Sequence, residues 1–210
     1  MEQVTMLVFA IVLAILVTWV IEGLRLYPSY KESIYPYLFG SFLPYFMKYA
    51  VFKDCSSSSF LKTKIGVHRM LFSAMQEAGK TTGRFCTIFY NRGIFVLCYE
   101  KIGGEMLGKA KDHDWIVKQK DADGEMHSFR HPNPTPVFEA YLRRIAAAYP
   151  EAHIEARIAF DDDADFTNLK SDIALKHYKD IVNEMVMVQS QIVDDASVIS
   201  NYQKLISKKG

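Results

Sequence analysis

Two glutamates and a lysine around a glycine turn are the side chains of this sequence best suited to chemistry. Glu100 and Lys101 precede Gly103-Gly104, and Glu105 follows it. Carboxylates can hold Mg²⁺, a hard cation, and a lysine can help to orient or activate an attacking water. The group is therefore a candidate site for metal-dependent hydrolysis. The alternative is that these residues form a solvated strand end and turn.

The other reactive residue types form no recognised catalytic or metal-binding pattern. The six histidines make neither H-x-x-x-H nor H-E-x-x-H spacing. Asp161–Asp163 with Asp165 lacks the closing glutamate of a calcium loop, so we interpret it as a solvated acidic turn. The cysteines Cys55, Cys86 and Cys98 are odd in number and lack C-x-x-C spacing, which indicates neither a disulfide framework nor a zinc site. We expect no cofactor-binding or metal residues, with Mg²⁺ needed only by a hydrolytic site.

An uncharged N-terminal run indicates where the rest of the chain operates. Val4–Ile21 carries no charged residue, and as a helix it would be about 27 Å long, close to the thickness of a hydrocarbon core. A cleaved signal peptide or a buried helix are the alternatives. No Lys or Arg precedes the run, and no A-x-A-like site follows it. We therefore predict a transmembrane anchor within residues 1–25.

The charges that flank this run predict its orientation. Basic residues follow it at Arg25, Lys31, Lys48, Lys53, Lys62 and Lys64. The positive-inside rule then places the remainder in the cytoplasm, in a single-pass protein of the cell membrane. The lipid bilayer is thus one predicted partner. A net charge of +1 over the whole chain favours no polyanionic partner.

An aromatic segment follows the anchor. Ile34–Phe52 is rich in Tyr and Phe, is interrupted by Pro36 and Pro44, and carries the single charge of Lys48. Aromatic rings favour the headgroup level of a bilayer, so we predict an interfacial segment, with a re-entrant hairpin or a second span as alternatives. Together with the serine-rich linker that follows, it makes up residues 26–59.

The remaining sequence predicts a single α/β domain over residues 60–188, followed by a C-terminal helix within 189–210. Apolar spacing predicts a first helix that ends at a Gly79 cap, and alternation of β-forming residues around Asn91-Arg92-Gly93 predicts a hairpin. The predicted helices are Leu61–Ala78, Val137–Ala148, Ile173–Met187 and Asp194–Ser207, and the predicted strands are Phe85–Tyr90, Ile94–Tyr99, Glu105–Gly108, Trp115–Lys118, Met126–Phe129 and Ile154–Phe160. This order favours a mixed central sheet flanked by helices.

Part of this domain resembles the nuclease-related domain (NERD) family. Gly93–Gly108, with the sequence G-I-F-V-L-C-Y-E-K-I-G-G-E-M-L-G, precedes Asp114-Trp115 and a proline-rich run before a helix. The family pattern is G-x-F-V-I-E-x-K-x-x-x-G-x-I-x-G, then a tryptophan, then N-P-x-x-Q opening a helix. Lys64–Gly66 is similar to the family's G-E-x-x-V opening. Ile158–Asp161 with Ala164–Phe166 is similar to its late strand and acidic turn.

The resemblance covers about Leu61–Val188 and implies a restriction-endonuclease-like fold, whose sheet presents acids and a lysine to a divalent metal. The catalytic motif departs from the family. Cys98 stands at the family's glutamate, Glu100 at its lysine, Phe85 near its aspartate and Val67 at the glutamate of its helix. A thiol, a phenyl ring and a valine do not replace hard oxygen ligands.

Three functions remain open from the sequence. The first is an inactive binding or scaffolding module, with a nucleic acid or a protein as its partner. The second is a metal-dependent nuclease with a displaced site formed by Glu100, Lys101 and Glu105. The third is an assembly subunit of a membrane complex, in which Ile34–Phe52 is the functional surface.

Overall fold

The computed structural model describes residues 2–77, 80–121 and 123–207 and contains two mixed β-sheets flanked by helices. The helices are α1 (Glu2–Lys31), α2 (Tyr35–Phe39), α3 (Phe42–Phe46), α4 (Ser59–Ile65), α5 (Thr135–Ala148), α6 (Ile181–Met187) and α7 (Asp195–Ser207). A π-helical segment, Met47–Val51, follows α3, and a 3₁₀ turn, Tyr178–Asp180, precedes α6. The strands are β1 (His68–Glu77), β2 (Lys80–Tyr90), β3 (Gly93–Tyr99), β4 (Gly104–Gly108), β5 (Asp114–Lys120), β6 (Met126–Pro132), β7 (Ile154–Phe160), β8 (Ala164–Leu169) and β9 (Leu175–His177).

The first sheet has the strand order β1-β2-β3-β7-β9, and the second has the order β6-β5-β4-β8. In the first sheet β1, β2 and β3 are antiparallel neighbours, whereas β3, β7 and β9 run parallel. In the second sheet β4 pairs with β5 antiparallel and with β8 parallel. The α/β class is confirmed. A mixed sheet flanked by helices is also confirmed, but β4, β5, β6 and β8 form a second mixed sheet that the sequence did not predict.

The predicted hairpin is confirmed. Phe85 lies opposite Cys98, and Tyr90 lies opposite Gly93 across β2 and β3. Gly93 has a φ of +116°, and a Cβ there would lie 2.4 Å from the carbonyl oxygen of His153, so the turn requires glycine. Residues 94, 96 and 98 share one face of β3, as strand alternation predicts, and pack in a different core from residues 95, 97 and 99.

The first sheet separates two hydrophobic cores. One face of the sheet packs against α2, α4 and α6, with Leu38, Leu61 and Met185 fully buried there. The opposite face packs against α5, α7 and the second sheet around Phe138 and Trp115. The C-terminal helix belongs to this second core, because Val198 of α7 is buried in it.

Two predicted helices are wrong in part. Within Leu61–Ala78 the chain is helical only as far as Ile65, where α4 ends, and β1 begins at His68. Ala78 and the expected Gly79 cap lie outside the described residues. The apolar positions of this stretch fit a helix, but its backbone pairs with β2 over the whole of β1. In Ile173–Met187 the helix α6 begins only at Ile181, after β9 and the 3₁₀ turn.

Helix α1 is long and apolar enough to cross a membrane, and its apolar stretch is not buried inside the structure. The segment Ile34–Phe52 forms α2, α3 and the π-helical segment, and each of these is only five residues long. In the described part of the chain, α1 alone has the length and composition of a membrane span. The helices of Ile34–Phe52 are each shorter than the roughly 20 residues that a membrane-spanning helix needs.

Candidate functional site

Glu100 lies directly after β3, on the face that carries Val96 and Cys98. Its backbone is fixed, because its N–H donates to Ala159 at 2.9 Å and its carbonyl accepts from the Tyr178 hydroxyl at 2.7 Å. The side chain is 16% exposed, and one carboxyl oxygen lies 3.8 Å from Nε2 of His131 on β6. The Cys98 thiol donates weakly to the other oxygen over 3.9 Å.

The surroundings of Glu100 disfavour its charged form. Burial raises the pKa of the Glu100 carboxyl to about 7, against the opposing charge of Arg84 and the thiol contact from Cys98. Burial lowers the pKa of His131, so the imidazole is neutral near pH 7. The pair is thus a carboxyl with a pKa raised to about 7 beside an imidazole with a lowered pKa.

Lys101 and Glu105 face other partners. The Lys101 ammonium donates to the carboxylate of Glu32, just after α1. One oxygen of Glu105 accepts from Lys118 at 3.2 Å, and the other accepts from Asn168 at 3.4 Å. The structure therefore places Glu100, Lys101 and Glu105 in three separate sets of contacts.

The positions that resemble nuclease ligands are packed with apolar groups. Phe85 and Cys98 lie directly opposite each other across β2 and β3, and both are 0% exposed. The Phe85 ring stacks on Tyr141 of α5, with ring centroids 4.5 Å apart. Val67 packs against the same core. Hard oxygen ligands are absent from these three residues, so they do not fit a magnesium ion.

Asp121, Glu125 and His127 form a cluster at the β5–β6 turn that the sequence analysis did not identify. Their potential ligand atoms lie within 4.8 Å of one another, and all three side chains are exposed. Asp121 already accepts from the N–H groups of Asp123 and Glu125, each at 2.9 Å, and its other oxygen lies 2.7 Å from Nε2 of His127. These contacts are those of a hairpin turn.

The acidic turn after β7 is hydrogen-bonded to the aromatic segment. One oxygen of Asp162 accepts from the Tyr37 hydroxyl at 2.8 Å, and the other accepts from the Lys179 N–H at 3.0 Å. Asp165 accepts from the N–H of Thr167 at 3.0 Å. The interpretation of this stretch as a solvated turn includes neither the structural role of Asp162 nor the strand β8.

The aromatic segment packs on the domain and on α1 together. Ile34, Leu38, Phe39 and Tyr45 are at most 2% exposed and belong to the core that lies on the first sheet. The Tyr35 ring lies 5.3 Å from that of Phe72 on β1. The segment is therefore an integral part of the fold.

Helix α3 also lies against α1 close to the end of the uncharged run. A Cβ on Gly23 would meet the rings of Phe42 and Phe46 at 3.8 Å each, and the Tyr27 and Phe42 rings are 5.2 Å apart. On the outer side of α3, Leu43 is 67% exposed. Phe52, just after the π-helical segment, is 63% exposed.

Comparison of the chain with models of protein families, with curated proteins and with solved structures finds no match. The geometry described above is therefore the basis for an assignment of function.

Proposed function

We propose that this chain is a single-pass membrane protein whose α/β domain is held at the cytoplasmic surface of the bilayer as a binding or scaffolding module. One observation carries the proposal: α3 packs on α1 at Gly23, two residues beyond the uncharged run that ends at Ile21. At about 1.5 Å per residue, this contact lies about 3 Å beyond the end of that run. In this proposal Leu43 lies at the level where lipid headgroups meet hydrocarbon.

The junction between α1 and the domain supports a fixed arrangement. Tyr30, in the last turn of α1, is buried in the core that also holds Ile34 and Leu38. The Lys101–Glu32 ion pair joins the loop after β3 to the end of α1. A membrane helix that ends inside a core holds its domain in one orientation, whereas a flexible linker would not.

The chemistry of the sheet supports binding over catalysis. Phe85, Cys98 and Val67 occupy the positions where the resemblance to the nuclease-related domain family implies metal ligands. The restriction-endonuclease-like fold remains part of the proposal. It is supported by β3, which pairs with β2 antiparallel and with β7 parallel, while α5 covers their common face.

A depth measurement tests the membrane contact. Full-length protein carrying Cys55→Ser and Leu43→Cys would be labelled with an environment-sensitive fluorophore in phosphatidylcholine vesicles, since Cys86 and Cys98 are 0% exposed. We expect blue-shifted emission and strong quenching by lipids that carry a nitroxide near the headgroup. Met126→Cys is the matched control, because Met126 is 56% exposed on the second sheet, away from α3. Aqueous emission from both labels would contradict the proposal.

The orientation has its own test. The basic residues that follow the apolar run, such as Arg25 and Lys31, predict a cytoplasmic C-terminus. An epitope tag after Gly210 should therefore resist protease added to intact cells and become cleavable after the membrane is permeabilised. Cleavage of the tag from outside intact cells would reverse the proposed topology.

A further inference from the structure

A basic pocket of about 310 Å³ opens beside the π-helical segment, where four parts of the chain meet, one of them α7, which contributes Ile199. Lys48 comes from that segment, Ser57 and Lys62 come from the serine-rich loop and α4, and His68 and Arg69 come from the start of β1. None of the described residues that line this pocket is acidic. Its chemistry is therefore that of an anion site.

The cations of this pocket are not neutralised by ion pairs. In the described part of the chain, no carboxylate oxygen lies within 4.0 Å of the charged groups of Lys48, Lys62 or Arg69. Hydrogen bonds from Ser56, one of them from its backbone N–H at 2.9 Å, lower the pKa of the Asp54 carboxyl, and Lys48 and Arg69 also help to lower that pKa, but by less. Three positive charges thus share one concave surface.

Hydrogen bonds orient the donors of the pocket. The Lys48 ammonium donates to the Ser57 hydroxyl oxygen at 3.2 Å, which leaves the hydroxyl proton of Ser57 as a donor for an anion. Arg69 donates through one guanidinium nitrogen to the carbonyl of His68 at 3.0 Å, and its other N–H groups can still serve a ligand. A compact oxyanion would match this arrangement of ammonium, guanidinium and hydroxyl donors.

His68 lines the pocket as a neutral imidazole. Its Nε2 accepts from the backbone N–H of Ser58 at 3.0 Å, so its proton is on Nδ1, which donates to the Gly66 carbonyl at 3.0 Å. Burial lowers the pKa of His68, and the charges of Arg69, Lys48 and Lys62 lower it further. The positive potential of the pocket therefore comes from the lysines and the arginine.

We propose that this pocket binds a phosphate ester, and that its source is the headgroup of an anionic phospholipid. A phosphate presents several acceptor oxygens and up to two negative charges, which match the donors of Lys48, Lys62 and Arg69. The lipid source rests on the membrane anchor proposed above, whereas the phosphate site itself does not. The source is favoured because Lys48 is followed by the exposed rings of Tyr49 and Phe52, in the segment directly after α3, whose Leu43 is proposed to contact the bilayer.

Calorimetric titration of the full-length protein in nonionic detergent micelles tests the site. The probes are dihexanoyl phosphatidic acid, glycerol 3-phosphate, which lacks acyl chains, and dihexanoyl phosphatidylcholine, whose phosphate is masked by choline. Lys62→Gln is compared with Lys64→Gln, because both residues are exposed on α4 but only Lys62 lines the pocket. Both variants lose one charge, so their general attraction to anionic lipid falls equally.

We expect saturable binding of phosphatidic acid, weakened about tenfold or more by Lys62→Gln or Lys48→Gln, as for the loss of a charge-assisted hydrogen bond, and unchanged by Lys64→Gln. Equal binding of glycerol 3-phosphate with the same variant pattern would uphold the phosphate site and assign its ligand to a soluble ester. This second result would neither support nor contradict the membrane anchor, which the depth and topology measurements test. Equal losses in Lys62→Gln and Lys64→Gln, or heats no larger than those of phosphatidylcholine, would overturn the proposal.

Discussion

The aromatic segment offers a direct test of the fold, because two of its leucines have opposite environments. Leu38 on α2 is 0% exposed in the core beside the first sheet, whereas Leu43 on α3 is 67% exposed. If the segment is part of the domain, Leu38→Ala must destabilise the domain and Leu43→Ala must not. If it instead lay on the membrane as a separate unit, the two substitutions would have similar, small effects on domain stability.

The burial of each leucine determines how much the two substitutions should differ in their effect on the unfolding free energy. Truncation of a fully buried leucine to alanine costs about 2–5 kcal/mol through lost transfer energy and a residual cavity. For a domain of this size, each kcal/mol lowers the melting temperature by about 2–4 °C, so Leu38→Ala should lower it by about 4–20 °C. Leu43→Ala should change the unfolding free energy by no more than about 0.5 kcal/mol, the range of ordinary surface substitutions.

Tryptophan fluorescence in nonionic detergent can follow this unfolding. The chain has two tryptophans. A Trp19→Phe background removes the one in α1 and leaves Trp115, which is 0% exposed in the second core. Thermal melts and urea titrations of the two alanine variants would then report the domain alone. Shifts of equal size, or a Leu38→Ala protein as stable as the parent, would show that the segment does not pack on the sheet.

Three further predictions concern Glu100, the nuclease alternative and the cysteines. Burial raises the pKa of Glu100 to about 7, so between pH 4.5 and 7 the folded chain binds more protons than the unfolded chain, and stability falls as the pH rises. In urea titrations, the unfolding free energy of the wild type should fall by roughly 3 kcal/mol more between pH 4 and 8 than that of Glu100→Gln. Unfolding free energies that change with pH in parallel in the two proteins would contradict the raised pKa of Glu100. The full-length protein should not cut single- or double-stranded DNA or RNA with Mg²⁺ or Mn²⁺; cleavage abolished by Glu100→Ala or Glu105→Ala would establish a displaced site. Burial raises the pKa of Cys55 to about 11, and Cys86 and Cys98 are 0% exposed, so a maleimide at pH 7.5 should label at most one thiol, slowly, until the protein is unfolded.

Local signals in the sequence were sufficient for the elements whose patterns have one interpretation. The hairpin of β2 and β3 follows from β-forming residues on both sides of Asn91-Arg92-Gly93. Helix α5 follows from the prolines before Val137 and the apolar spacing after it. In both cases propensity, turn chemistry and tertiary packing agree, which is the condition under which local patterns predict structure.

Other elements depend on partners that are distant in sequence. The apolar residues Met70, Leu71 and Met75 fit a helix and a strand alike, and the long pairing of β1 with β2 decides between them. The aspartates around Asp165 are typical of a turn, so β8 was not predicted. This strand forms through its pairing with β4. Aromatic composition was equally compatible with a membrane interface and a protein core, and Ile34–Phe52 contributes to a core while exposing Leu43.

In the candidate site, too, single residues could be predicted from the sequence, whereas their long-range contacts could not. Glu100 was identified from its neighbours in sequence, but its contact with His131 joins the end of β3 in the first sheet to β6 in the second sheet. The basic pocket also combines residues separated in sequence, from Lys48 to Ile199. The sequence shows where the basic residues are, but its hydrophobic periodicity does not predict which loops lie next to one another in the fold.

The electrostatics around Glu100 bear on whether the domain could still use a metal. A carboxylate ligand must be ionised before it binds Mg²⁺, so a pKa raised to about 7 means that at neutral pH a proton competes with the ion. A second carboxylate would strengthen a site for a cation, yet the charge that acts on Glu100 is that of Arg84, which would repel one. The Cys98 side chain beside it is fully buried, and burial raises the pKa of its thiol well above its ordinary value. The burial of Glu100 and the charge of Arg84 thus disfavour a divalent cation at this carboxyl, in agreement with the binding role proposed for the domain.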